Sequence, residues 1–289
     1  MFSRQALFTL LALVAFAANS VLARLALADG SIDPLGFTAL RIAAGGLVLL
    51  PFLRRGSGPL FPRSPEKLRG AAALLIYAGG FSLAYLSLTA ATGALILFGA
   101  VQATMFGAAL MRGERPGLFG WLGLMVAGAG LVWLLAPGVS APDPLGAALM
   151  TVSGLAWGGY TLLGKGATDP AGTTARNFAL ASLPALVVLA VKASTSGFGE
   201  WTGEGIALAL LSGALASGAG YLVWYAALRS LGTVQASVAQ LSVPVLAALG
   251  GAALIAEPIT LKLTLSSALV LGGIGLTLVR GERRASVRA

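Results

Sequence analysis

The sequence predicts an all-α integral membrane protein of ten transmembrane helices, arranged as two inverted five-helix repeats with both termini in the cytoplasm. Three observations predict it. Hydrophobic residues fill 57% of the 289 positions and charged residues only 10%, whereas a soluble domain carries about a quarter charged residues. The apolar positions fall in runs long enough to cross lipid, which takes ~20 residues as a helix. One nine-residue pattern is written twice, FAANSVLAR at Phe16–Arg24 and WGGYTLLGK at Trp157–Lys165. Both copies read aromatic, small, small, polar, hydroxyl, aliphatic, Leu, small, cation.

The runs follow in order. The first, 6–27, opens after Arg4 and is too long for a cleaved signal peptide. Asp-Pro-Leu-Gly at 33–36 turns the chain into 34–53. The third and fourth, 70–89 and 93–111, end at Arg-Gly-Glu-Arg-Pro-Gly (112–117). The fifth, 117–135, is rich in Gly, and Ala-Pro-Asp-Pro-Leu-Gly (141–146) leads into 144–163. Then come 173–191, 205–228, 233–254 and 260–279, followed by a basic tail at 281–289. The chain's 40 Gly would weaken helices in water, but in lipid small residues let helix backbones approach closely.

Charge sets the orientation. With the N-terminus in the cytoplasm, every Lys and Arg falls on the cytoplasmic side except Arg24 and Arg41 within spans and Lys192 and Lys262 outside. That is a strong positive-inside bias, and it accounts for the net charge of +9 without nucleic acid as a partner. The chain has no Cys and no His. Thiol catalysis, a disulfide framework, a His proton relay and the usual zinc and haem ligand sets are excluded, so no cofactor or metal is expected.

The repeat extends beyond nine residues. TALRIAAGGLVLL (38–50) resembles TARNFALASLPALVVL (174–189), setting Arg41 against Arg176. Tyr85 and Tyr225 begin YLSL and YAAL. Glu114 and Glu257 each follow an apolar run and precede Gly-x-Gly-Leu, at 128–131 and 273–276. Residues 1–135 and 144–280 are thus two halves of five spans. Five is odd, so the second half runs through the membrane upside down relative to the first, an arrangement typical of alternating-access transporters with a site near the midplane.

These features resemble the drug/metabolite transporter superfamily, EamA type: ten spans in two halves, an aromatic-small start to each first helix, and a glutamate between the fourth and fifth helices of each half (GERP, AEPI). The likeness covers nearly the whole chain and is narrower toward the aromatic amino acid exporter branch. One departure is Phe16-Ala17, where the family usually has Trp-Gly. The resemblance implies export; direction is not otherwise legible.

A polar side chain inside a span is costly, so polar and aromatic residues sharing a helix face are candidates for a solute pocket. Span 1 offers Phe16, Asn19 and Ser20; span 3, Tyr77, Phe81 and Tyr85; span 4, Phe98, Gln102 and Phe106. Beside that last stripe, Gly99, Ala103 and Gly107 form a smooth face expected to pack on a neighbour. Span 6 offers Ser153, Trp157, Tyr160 and Thr161; span 8, Tyr221, Trp224 and Tyr225; span 9, Ser237 and Gln240. The expected substrate-binding set is Asn19, Tyr77, Phe81, Tyr85, Phe98, Gln102, Trp157, Tyr160, Trp224, Tyr225 and Gln240. Rings stack on an aromatic solute, and amides meet an ammonium or carboxylate without fixed charge. The same aromatics could simply fill gaps between helices; Trp121, Trp133 and Trp201 are assigned to packing or the lipid interface. Arg41, the cation clearly inside a span, could attract an anion, pair with a helix end or snorkel outward. Pro184 and Pro244 interrupt helix hydrogen bonding and are pivots or static bends.

Every acidic residue maps to a loop or span end. Proton-driven carriers commonly embed a carboxylate, so movement by facilitated diffusion or exchange is expected, with Glu114 and Glu257 as helix caps. Phosphorylated solutes need several cavity cations and cationic drugs an embedded acid, so nucleotide sugars, sugar phosphates and drugs rank as alternatives. An intramembrane enzyme ranks lower still, since no paired nucleophile and base is evident. The expectation is a non-enzymatic, multi-pass exporter in a bacterial inner membrane. It would act on amino acids or similar amphiphilic metabolites, aromatic or apolar ones foremost, with lipid as its other partner; a monomer is plausible and the oligomeric state is open.

Overall fold

The computed structural model describes residues 4–53, 68–113, 117–138, 141–165, 167–195, 197–198, 201–228, 231 and 239–278. Among them there is no strand, and ten helices follow one another: α1 (Arg4–Ala28), α2 (Pro34–Leu53), α3 (Arg69–Ala84), α4 (Ala90–Met111), α5 (Leu118–Leu135), α6 (Pro144–Lys165), α7 (Pro170–Thr195), α8 (Gly203–Leu228), α9 (Ser242–Ile255) and α10 (Leu261–Leu278). By length and composition six of them, α1, α2, α4, α5, α7 and α8, can cross a membrane, while α3, α9 and α10 are shorter apolar helices.

The expected third span ran to 89, but α3 stops at Ala84. Its carbonyls beyond that point are taken by other donors: Arg24 Nη1 donates to Tyr85 O at 3.0 Å and Leu86 O at 3.2 Å. A guanidinium at a helix C-terminus satisfies carbonyls that have no intrahelical partner. Helix α9 begins at Ser242, so Pro244 sits in its first turn rather than mid-helix. There its missing N–H removes no bond within α9, and the helical residues Ala239 and Gln240 are separated from α9 by a break at Leu241. Pro184 lies inside the continuous α7 and faces outward.

The starts of α2 and α7 are capped alike. Asp33 Oδ1 accepts the Gly36 N–H at 3.0 Å, and Asp169 Oδ1 accepts the Gly172 N–H at 3.1 Å. Counting from these two matched caps sets Arg41 against Asn177, one residue beyond the expected Arg176. Arg41 and Asn177 are both buried, whereas Arg176 is only half-buried.

Packing pairs α2 with α7, α5 with α10, and α4 with α9. Helix α3 lies on α6 as α8 lies on α1; α4 lies on α6 as α9 lies on α1; and α2 meets α8 as α7 meets α3. Renaming α1–α5 as α6–α10 leaves these pairings unchanged. The α5–α10 seam is closed by glycine. A Cβ on Gly273 would come within 2.5 Å of Ala127 N, and one on Gly123 would strike the Gly273 carbonyl. Such contact yields dispersion only because the side chains are absent. Gly273→Leu is expected to push the two helices apart and cost about 1–3 kcal/mol, read as a lower melting temperature in detergent.

The smooth face of α4 behaves differently from expectation. Gly99 packs on Leu131, but Ala103 is exposed and nothing lies within 4 Å of a Cβ at Gly107. Phe106 turns to Trp121 in α5 at 5.8 Å, edge to face, so the Phe98–Gln102–Phe106 stripe is divided between two surroundings.

One end of the molecule is tied by Asp33, whose carboxylate pairs with Lys192 at 2.9 Å and accepts the Trp201 indole N–H at 2.6 Å. Burial acts to raise its pKa, but the Gly36 N–H, Lys192 and Trp201 together outweigh it and hold the group below 3.8. A carboxylate depressed in the folded state stabilises the fold fully above its unfolded pKa and ceases to do so as pH falls through the folded one. The melting-temperature gap between wild type and Asp33→Asn is therefore expected to be present at pH 7 and to close below pH 3.8.

Candidate functional site

Aromatic side chains from four helices meet at the centre. Trp157 of α6 stacks on Tyr160 (5.3 Å, 18° between planes) and lies 4.8 Å from both Tyr77 of α3 and Tyr221 of α8. Phe16 of α1 sets its edge to Trp157, Tyr221 and Trp224, at 6.2, 5.9 and 5.6 Å. Edge and tilted contacts of this kind add attraction beyond area burial.

Between these rings is a narrow cavity of about 20 Å³, lined by Phe16, Asn19, Ser20, Tyr77, Phe81, Leu97, Phe98, Trp157 and Tyr221. Of the expected set, Asn19, Tyr77, Phe81, Phe98 and Trp157 line it. Phe16, Ser20 and Tyr221, noted on the same helix faces, line it too, while Leu97 carried no sequence signal. Tyr160 and Trp224 stand one layer back. Tyr85 is fully buried in the other direction: its hydroxyl donates to Ala90 O at 3.3 Å and its ring packs on Phe81 at 4.7 Å. Tyr225, Gln102 and Gln240 are also outside the lining; Gln102 is half-buried on α4 and Gln240 is buried just before α9. Ser237 lies outside the described residues.

The polar floor is a chain of hydroxyl, amide and guanidinium groups. Asn19 Nδ2 donates to the Tyr77 hydroxyl at 3.2 Å, and Ser212 Oγ donates to Asn19 Oδ1. Arg41 Nη2 donates to the same Tyr77 oxygen at 2.7 Å, and Arg41 Nε donates to Ser217 Oγ at 3.2 Å. Behind Tyr77, Ser153 Oγ donates to its backbone carbonyl at 2.7 Å.

Ser212 and Ser217 escaped the sequence reading because α8 is not α-helical there. Residues Ser212–Ala219 form a π-helical stretch, a form that recurs at functional sites. Its i→i+5 bonding brings residues five apart toward one line, whereas 3.6 residues per turn would set them on separate faces. Two such pairs exist, Ser212 with Ser217 and Gly213 with Gly218. The serines bind Asn19 and Arg41; the glycines sit against α2, where a Cβ on Gly213 would strike the Arg41 carbonyl and one on Gly218 would lie 3.1 Å from Gly45 O. The repeated Ser-Gly at 212–213 and 217–218 was the available signal.

One turn along α1 from Ser20, outside the cavity lining, lies an ion pair. Arg24 Nε meets Glu257 Oε1 at 2.9 Å, with side-chain exposures of 20% and 10%, and Glu257 Oε2 accepts the Ala90 N–H at 2.8 Å. Ala256, in the left-handed region at φ 55°, turns the chain so that Glu257 reaches back. Glu257 therefore caps α4 and pairs with α1, in place of the local cap before Pro258 that the sequence suggested. Glu114 lies outside the described residues. Among the described residues no group of acidic residues could hold a metal ion.

A multi-pass bundle with a central cavity of this kind is the architecture of a membrane transporter. The chain belongs to the EamA-like transporter family, whose profile matches residues 3–136 and again 144–279. It is 51% identical, over 98% of its length and 97% of the relative's, to an uncharacterised protein of Pseudomonas aeruginosa. It is 31% identical to the threonine/homoserine exporter RhtA of Escherichia coli, over 86% of this chain and 84% of that one. A solved crystal structure superimposes with a TM-score of 0.60 at 22% identity, over 93% of this chain and 98% of the other, a likeness of fold.

Proposed function

We propose that the protein exports neutral amino acids from the bacterial cytoplasm across the inner membrane, by alternating access between two inverted five-helix halves. The observation that carries this is the cavity, walled by rings from both halves and floored by Asn19 and Tyr77. An amphiphilic solute with one apolar and one zwitterionic end suits such a wall. The exchange of helix pairings between the halves supports the inverted arrangement, as do the two separate family matches. The rings favour an aromatic or apolar side chain; the RhtA relatives bring threonine and homoserine into the same panel. Among the described acidic residues none lines the cavity, which supports facilitated movement or exchange over proton antiport.

Counterflow in proteoliposomes tests this. Vesicles loaded with unlabelled Phe, Thr, homoserine, a nucleotide sugar or a cationic drug are offered the matching labelled solute with no pH or voltage gradient. Uptake confined to amino acid batches is the expected result. Uptake of only the sugar or the drug would move the substrate class, and uptake appearing only after a pH gradient is imposed would overturn the coupling.

A further inference from the structure

We propose that Arg41 is the anchor for a carboxylate of the transported solute, so that the protein selects carboxylate-bearing solutes over their uncharged or cationic analogues. This rests on the transporter reading above and names the chemistry of its site.

The guanidinium is 1% exposed, and neither ion pair among the described residues involves it. Burying an unpaired cation costs several kcal/mol, more so within a bilayer. Its surroundings offset part of that cost. Nε and Nη2 reach Ser217 and Tyr77, and the cation lies 5.0 Å from the Tyr77 ring centre and 4.6 Å from that of Phe81, where ring faces attract it. Nη1 makes no well-aligned hydrogen bond; the nearby Tyr221 hydroxyl, itself without a partner among the described residues, is the neutral group it faces.

Three features point to an anion rather than to packing. First, both rings that cover the guanidinium also line the cavity. A solute reaching Tyr77 is therefore one ring's thickness from the charge, and the two rings must part for it to touch the guanidinium. Second, the cluster is rich in donors. Tyr77 oxygen already accepts from Asn19 and Arg41, which uses both lone pairs and leaves its proton to give. The neutral oxygen that faces both groups is the Tyr221 hydroxyl, which also lines the cavity and which neither Arg41 Nη1 nor Tyr77 meets in good hydrogen-bond geometry; a carboxylate entering beside it is a stronger acceptor for both donors. Third, the fold does not demand a charge at this place in the helix. The matched position in α7 is Asn177, buried and neutral.

The test is binding, not transport. Purified full-length protein is titrated calorimetrically with L-threonine, L-phenylalanine, their primary amides, and propionate and malate as carboxylates without an amino group. Wild type is compared with Arg41→Gln, Arg41→Lys and Tyr77→Phe. An acid is expected to bind wild type on the order of 100-fold more tightly than its amide, a ratio typical of losing one partner of a buried charged contact. Arg41→Gln is expected to bring the acid down to the amide's affinity and leave the amide unchanged. If Arg41→Gln does not yield a monodisperse protein, Arg41→Lys carries the test, with an expected loss of about tenfold for the acid alone, since an ammonium keeps the charge but not the fork. Equal binding of acid and amide to wild type, or of acid to wild type and both Arg41 variants, overturns the anchor. Arg41-dependent binding of propionate or malate without any amino acid keeps the anchor and overturns the amino acid reading. Amino acid binding indifferent to Arg41 does the reverse, and silence from every probe overturns both.

Discussion

Glu257→Gln is expected to loosen the junction of α1 with the start of α4, and with it access to the cavity one turn away at Ser20. Glu257 lies 233 positions from Arg24 in sequence; its two oxygens hold Arg24 of α1 and the Ala90 N–H at the start of α4, while Arg24 holds the α3–α4 turn. Removing one partner of a mostly buried pair leaves the other charge uncompensated, at a cost of about 3–5 kcal/mol. Arg24 keeps the Tyr85 and Leu86 carbonyls and is 20% exposed, which reduces the expected loss to about 2 kcal/mol. A shift of that size changes the balance between closed and open forms by about 30-fold. The sequence has no Cys, so a single reporter is clean: Ser20→Cys, in the cavity lining, is alkylated by a membrane-impermeant reagent. Faster alkylation in the Glu257→Gln background is expected, with Arg24→Ala giving the same change and the double variant adding little. An unchanged rate in both single variants would show that the pair does not hold the cavity shut.

Trp157→Ala is expected to have the second large effect. The indole touches rings from α1, α3 and α8 and stacks on Tyr160, so truncation removes the piece on which the others converge. Large-to-small changes at buried aromatic sites cost about 3–5 kcal/mol. The melting temperature is expected to fall, and counterflow to be lost, whereas Trp157→Phe retains most of the stability. If Trp157→Ala melts like wild type and transports normally, the ring cluster is packing remote from the solute path.

Much of this was legible in the sequence. The apolar runs follow from composition, and the helix faces that bring Asn19, Tyr77, Phe81, Phe98 and Trp157 to the cavity follow from 3.6-residue spacing. Ring-bearing positions that share a face in α1, α3 and α6 converge because those helices are neighbours. The illegible part has three physical sources. The π-helical stretch of α8 departs from that spacing, so Ser212 and Ser217 do not look like partners. The Arg24–Glu257 pair joins α1 to the α9–α10 connection, far apart in sequence, and neither residue signals its mate locally. Tyr85 reads like Tyr77 on the helix wheel, yet the chain turns at the end of α3 and buries it against α4, so a shared face does not imply a shared environment.

The mismatch between Arg41 and Asn177 has a consequence for energetics. Two identical halves related by a two-fold axis in the membrane plane would make the facing-in and facing-out forms mirror partners of equal free energy. The empty protein would then divide its time evenly between them. One buried cation without a counterpart lifts that degeneracy, because desolvating it costs differently as each side opens to water. On the two-half reading, the resting protein is poised toward one facing before any solute arrives, and a solute that neutralises the charge brings the two forms nearer to parity.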